Sequence, residues 1–157
     1  MADDIECRNC RKYTWAENIV DLLKDCTDEI GKFVCQHCGG TDTFIYRKSK
    51  LQEEGEVWQR WIKGVIRIDS GIKTYCPYIF LTADSEDGEP TSLHFLYYKD
   101  TRSQPNGRLK HGHGPGGPPV LDNKHLFLII ERLVSLGILS KGEIKSFVDS
   151  FLAERTT

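Results

Sequence analysis

The spacing of apolar and polar positions changes character along the chain. From Trp58 onward, Trp58, Ile62, Ile66 and Ile68 share one parity while Gln59, Lys63, Arg67 and Asp69 share the other, the period-two pattern of a half-buried strand; Trp61 and Val65 interrupt it. Tyr78–Thr82 and Leu93–Tyr98 are two further strands, and the acidic segment from Asp84 to Pro90 between them carries the Asp-Gly and Pro of a hairpin turn. An antiparallel sheet over residues 57–100 follows, with the acidic turn as a solvated tip. Beyond residue 120 the period becomes helical. Asp122 can cap a helix through Leu136 that stops at Gly137, and Ser140-Lys141-Gly142-Glu143 is a capping box for a second helix over 141–154. Leu126, Phe127, Ile129, Ile130, Leu133 and Val134 leave the first helix little polar face. In the second, Ile144, Phe147, Val148, Phe151 and Leu152 form a stripe opposed by Lys145, Asp149 and Glu154. The helices 122–136 and 141–154 are expected to fold back as an antiparallel hairpin that closes the core. A hairpin left uncovered would instead join two copies into a homodimer.

Near the amino terminus, Thr14-Trp15-Ala16-Glu17 has capping-box form, and Trp15, Ile19, Leu22 and Cys26 recur at helical spacing. A short helix is expected there, with Cys26 as a small core residue. Two segments lack any period. Residues 47–56 are polar and mark a boundary, whereas Lys99–Pro119 holds Arg102, Arg108, Lys110, His111, His113 and a Gly/Pro run, and reads as a long loop over 99–120. The chain thus divides into a module at 1–48 and an α+β domain at 57–157, and the fold class is α+β.

Composition narrows the function classes. The 157 residues are 39% apolar and 28% charged, with a net charge of -2, which suits a globular chain and excludes a globally basic nucleic-acid binder; any basic surface must be local. No apolar run is long enough to cross a bilayer, so no membrane role is expected, and Met1-Ala2-Asp3-Asp4 is acidic where a signal peptide is basic. A cytoplasmic or nuclear location follows. In that reducing setting six cysteines favour metal over disulfides.

Four of the six are paired as Cys7-x-x-Cys10 and Cys35-x-x-Cys38, the second pair running into Gly39-Gly40. Two-residue spacing lets both thiolates of a turn face one ion, and two such turns complete a tetrahedral shell. One structural Zn2+ on Cys7, Cys10, Cys35 and Cys38 is expected, with a rubredoxin-like iron centre sharing the geometry. Such a site is coordinatively closed, so it holds structure and has no open position for activating water. His37, inside the second knuckle, is read as a surface residue. On Cys7-Arg8-Asn9-Cys10 and Phe33-Val34-Cys35-Gln36-His37-Cys38-Gly39, residues 5–46 resemble the zinc ribbon group.

Around the knuckles lie Arg8, Arg11, Lys12 and Lys32, followed by Arg47 and Lys48, with Tyr13 and Trp15 as stacking planes. Basic residues interleaved with aromatics fit nucleic acid, and they fit an acidic protein surface as well. A binding module contacting nucleic acid or a protein of a nucleic-acid-handling complex is therefore expected. The competing class is a hydrolase or nuclease that uses His94, His111 and His113 beside the Gly/Pro-rich loop. No Gly-x-Ser-x-Gly, His-Glu-x-x-His or Walker motif accompanies those histidines, and the Gly/Pro run lacks the Gly-Lys-Ser/Thr of a phosphate loop.

Overall fold

The computed structural model describes residues 3–50, 57–112 and 119–153. The protein is α+β, with three helices among the described residues and seven strands joined in one wholly antiparallel sheet. The strands are β1 (Asp3–Cys7), β2 (Tyr13–Ala16), β3 (Thr43–Lys50), β4 (Val57–Arg67), β5 (Tyr75–Ala83), β6 (Ser92–Asp100) and β7 (Leu109–His111). The helices are α1 (Ile19–Asp25), α2 (Asn123–Ser135) and α3 (Lys141–Ala153). Strand order is β2-β1-β3-β4-β5-β6-β7, which leaves β2 at one edge. Two compact units are present, Met1–Leu121 and Asp122–Thr157. No helix among the described residues is long and apolar enough to cross a membrane.

In the first unit α1 lies on the sheet. Its Ile19, Val20, Leu22 and Leu23 pack with Ile5, Phe33, Ile45, Ile62, Val65, Tyr78 and Phe80 in one core, joined by Cys26. The broken alternation of β4 has a physical cause. A bulge between Ile62 and Gly64 shifts the register against β5, so Val65 joins Ile62 in the core while Ile66 pairs with Ile79. Strand β5 is buried from Pro77 through Ala83, as a central strand covered on both faces should be.

Three expectations need correction. The amino-terminal helix begins four residues later than its capping-box pattern implied: Asn18 is the cap, its Oδ1 accepting from the Val20 and Asp21 amides at 3.1 Å each, and Thr14 and Trp15 belong to β2. The polar stretch that begins at Arg47 does not start a loop, because residues up to Lys50 continue β3 and pair with β4; residues 51–56 lie outside the described residues. Nor is Lys99–Pro119 irregular throughout. Strand β6 runs to Asp100, β7 returns beside it, and Thr101 closes the turn by donating its hydroxyl to the Arg108 carbonyl at 3.0 Å. A Cβ at Gly107 would stand 1.5 Å from the Thr101 carbonyl oxygen, so this turn requires glycine. Residues 113–118, and with them His113, lie outside the described residues.

Arg102 ties that turn to α1. Its guanidinium grips Asp100 through Nε and Nη2 at 2.9 and 2.8 Å and reaches Asp21 of α1 at 3.3 Å. The hydrogen bonds from Arg102 hold Asp100 down to about 2, and hydrogen bonds from the same side chain and then from Asn18 lower Asp21. Because both carboxyls titrate lower in the folded chain, their contribution is complete above the unfolded value of about 3.9 and is lost as pH falls toward about 2. The stability difference between the native chain and Arg102→Leu, read from urea midpoints, is therefore expected to be constant near neutrality, to shrink as pH falls below about 4, and to reach its minimum only below pH ~2.

In the second unit both caps follow the sequence. The Ser140 amide donates to Glu143 Oε2 at 2.7 Å and the Glu143 amide to Ser140 Oγ at 3.1 Å. Gly137, at φ 76°, ends the preceding helix, and the Ile138 amide closes a Schellman turn on the Leu133 carbonyl at 2.9 Å. Burial differs from expectation. His125, Ile129 and Leu133 are buried, yet Phe147 is 71% exposed and Phe127, Val148 and Leu152 are exposed as well. Helical periodicity specifies a stripe; it does not specify what covers it.

Candidate metal centre

The two knuckles have the same local construction. In the first, the Arg11 amide donates to the Cys7 carbonyl at 2.8 Å and the Cys7 amide to the Lys12 carbonyl at 3.1 Å; in the second, the Gly39 amide donates to Cys35 and the Cys35 amide to Gly40, both at 2.9 Å. The residue after each pair is left-handed, Arg11 at φ 57° and Gly39 at φ 70°. Arg11 thus adopts the conformation that glycine supplies in the second knuckle, at a cost of about 1–2 kcal/mol for its Cβ. Asn9 of the first knuckle lies over Gly40 of the second, where a Cβ would meet its Nδ2 at 2.6 Å and the Cys38 sulfur at 3.3 Å.

This construction brings the four sulfurs of Cys7, Cys10, Cys35 and Cys38 within 4.8 Å of one another. Cys7 and Cys38 stand 3.6 Å apart, as do Cys10 and Cys35. An ion bound tetrahedrally at about 2.3 Å from each sulfur requires an edge of about 3.8 Å, so the donor set fits one metal ion. Cys7 and Cys35 are buried and Cys38 is exposed. The His37 amide donates to the Cys35 sulfur at 3.4 Å. Burial opposes ionisation of Cys35, but the amides of His37 and Cys38 and the neighbouring thiols hold its pKa down to about 6. At Cys38 the Gly40 amide favours the thiolate, yet the Cys7 thiol and burial outweigh it and push the pKa up to about 12. Thiols this close oppose one another's ionisation, and a cation among them removes that opposition.

The residues expected to bind a partner are distributed unevenly. Arg8 is held by the acidic β5–β6 turn, meeting Asp87 at 2.5 Å and Glu86 at 3.4 Å, with Asp42 at 3.9 Å. Arg11 shares Glu86 at 3.8 Å with Glu6 at 3.9 Å. Lys63 donates to the Glu86 carbonyl and lies 5.3 Å from the Phe44 ring centroid. The turn expected as a solvated tip is therefore latched onto the first knuckle, supplying counter-charge to both arginines. Lys12 is exposed beside them. Lys32 is half-buried against β4, where it bridges to Gly64. Arg47 and Lys48 lie on β3 opposite Arg60 and Gln59. Tyr13 and Trp15 project from edge strand β2, 57% and 62% exposed.

The remaining expectations are also placed. His37 Nε2 meets the Tyr13 carbonyl at 3.0 Å, so its ring is engaged with β2. Cys26 is buried in the core with α1, and burial followed by the charge of Asp25 raises its thiol. His94 lies opposite Phe80 and is lowered by burial and then by Arg60. His111 lies opposite Tyr98, and the four residue steps from His94 to Tyr98 on β6 put the two histidines about 13 Å apart along the strand. Sequence reading did not single out Asp4, Glu6 and Glu86. The alternation Asp4-Ile5-Glu6-Cys7 carried a signal for the first two, since it marks a strand with one buried and one acidic face.

No family model matches the chain, and neither a curated protein nor a solved structure is significantly similar to it.

Proposed function

We infer that the chain is a binding protein whose amino-terminal module, residues 1–48, is a zinc ribbon holding one structural zinc on Cys7, Cys10, Cys35 and Cys38. The observation that carries this reading is the convergence of four sulfurs within 4.8 Å from two knuckles of matched backbone. Zinc accommodates four thiolates in a tetrahedron and leaves no open position, so the ion organises the surface around it and performs no reaction. The expected partner is a protein ahead of nucleic acid. Arg8 and Arg11, the two cations nearest the knuckles, are already paired with Glu6, Asp42, Glu86 and Asp87, and charges so engaged are poor at releasing phosphate counterions. The exposed Phe127, Phe147, Val148 and Leu152 support a further element of the reading, an antiparallel pairing of α2 and α3 that joins two copies of the chain.

Cobalt substitution tests the ligand set. Co2+ added to metal-free reduced protein is expected to give the intense visible bands and sulfur-to-metal charge transfer of a tetrahedral four-thiolate site. Changing any one of the four cysteines to serine should weaken the charge-transfer band, whereas Cys26→Ala should leave it unchanged. A pale octahedral spectrum would refute the site.

A further inference from the structure

The exposed aromatics of β2 have acidic neighbours. Trp15 stands directly opposite Asp4 on β1 and Tyr13 directly opposite Glu6, so each aromatic shares a sheet face with a carboxylate at a Cβ separation of about 5 Å. The closeness registers at Tyr13, whose phenol is raised first by the charge of Glu6 and further by that of Asp4. Glu6 is met by Arg11 at 3.9 Å; Asp4 is exposed.

A phosphate backbone laid on this face would meet Asp4 and Glu6 and be repelled, whereas a cation would be favoured twice. Indole is the best of the aromatic faces for an ammonium or guanidinium, and a carboxylate directly across the strand pair supplies the opposite charge. We propose that the face formed by Trp15, Tyr13, Asp4 and Glu6 binds a basic peptide segment, stacking a lysine or arginine side chain on Trp15 beside Asp4. The site uses residues outside the metal shell and assigns Trp15 a role other than stacking on bases. It rests on the reading of the chain as a protein-binding module and adds the chemistry of the partner.

The test is fluorescence anisotropy of the full zinc-loaded chain with three labelled probes: a short peptide of alternating lysine and alanine, its glutamate counterpart, and a mixed-sequence single-stranded oligonucleotide. The lysine peptide is expected to bind and to weaken with added salt. Trp15→Ala should weaken it about tenfold, Asp4→Asn by a similar factor, and Trp15→Phe by less than either. Both positions are exposed, so circular dichroism and zinc content should match the native chain. Lysine-peptide binding that is indifferent to Trp15→Ala, or no binding of that peptide, overturns the site. Binding of the glutamate peptide alone overturns it too while leaving the protein-partner reading intact. Binding of the oligonucleotide alone, with steep salt dependence, overturns both.

Discussion

Cys35→Ser is expected to release the metal and to remove more than about 3 kcal/mol of stability, read from the chelator-free thermal midpoint and from zinc retained after dialysis. The magnitude follows from the coupling of ligation to folding: a four-thiolate site binds its ion only when the chain has brought both knuckles together, so loss of one ligand returns much of the binding free energy as lost folding free energy. Cys35 is 2% exposed, with the His37 amide on its sulfur, and serine would leave that donor facing a shorter, harder oxygen in a buried position. The surrounding packing amplifies the loss. Phe33, two residues earlier, is fully buried in the core under α1, and Thr43, at the start of β3, donates its hydroxyl to the Phe33 carbonyl at 2.9 Å. Cys26→Ala provides the contrast, since it deletes a buried thiol of the same core without touching the shell. Its expected cost is about 1 kcal/mol, with metal retained.

Gly31→Ala is expected to cost about 3 kcal/mol in urea unfolding at saturating zinc, from two additive causes. Gly31 sits at φ 108°, where any Cβ is strained by about 1–2 kcal/mol. A Cβ would also stand 2.1 Å from the Val65 carbonyl oxygen, an overlap with main chain that cannot rotate away and adds about 1–3 kcal/mol. The contact cannot simply open. The Val65 amide donates to the Gly31 carbonyl at 2.8 Å, and Asp28 Oδ1 accepts from the Ile30, Gly31 and Lys32 amides at 3.1, 2.8 and 2.8 Å. This loop leads from α1 to the second knuckle and is fastened to β4 at its bulge, so displacing it moves Phe33 and Cys35 together. Gly71→Ala is the control: Gly71 has φ 73° with open space around it, so only the conformational cost of about 1 kcal/mol is expected.

The contrast between what was readable in the chain and what was not follows from the range of the interactions. The four thiols were legible because knuckle spacing is a local constraint, and the Ser140–Glu143 box and the Gly137 stop were legible because caps are satisfied within a few residues. The three central strands were legible as apolar stretches of strand length bounded by turn residues. The bulge at Ile62–Gly64 was visible only as the interruption at Val65, since its cause is a pairing with β5 that no local pattern encodes. Trp15 fitted a helical stripe and yet lies on a strand, because Asn18 two residues before Val20 makes the better cap and Asp4 and Ile5 offer Trp15 and Thr14 partners. The capture of Arg8 by Glu86 and Asp87 joins residues nearly eighty positions apart, and that capture is what turns a basic-looking knuckle into a neutralised one. The surroundings of the second unit's apolar stripe were beyond the sequence for the same reason.

In the proposed function one zinc organises the amino-terminal module. Elemental analysis of the purified, fully reduced chain tests it most directly, and the predicted ratio is close to one zinc per chain, falling toward zero in Cys35→Ser and unchanged in Cys26→Ala. A folded, reduced native chain that carries no tightly bound metal, and whose melting temperature does not respond to added zinc, would rule out a structural zinc on these four cysteines.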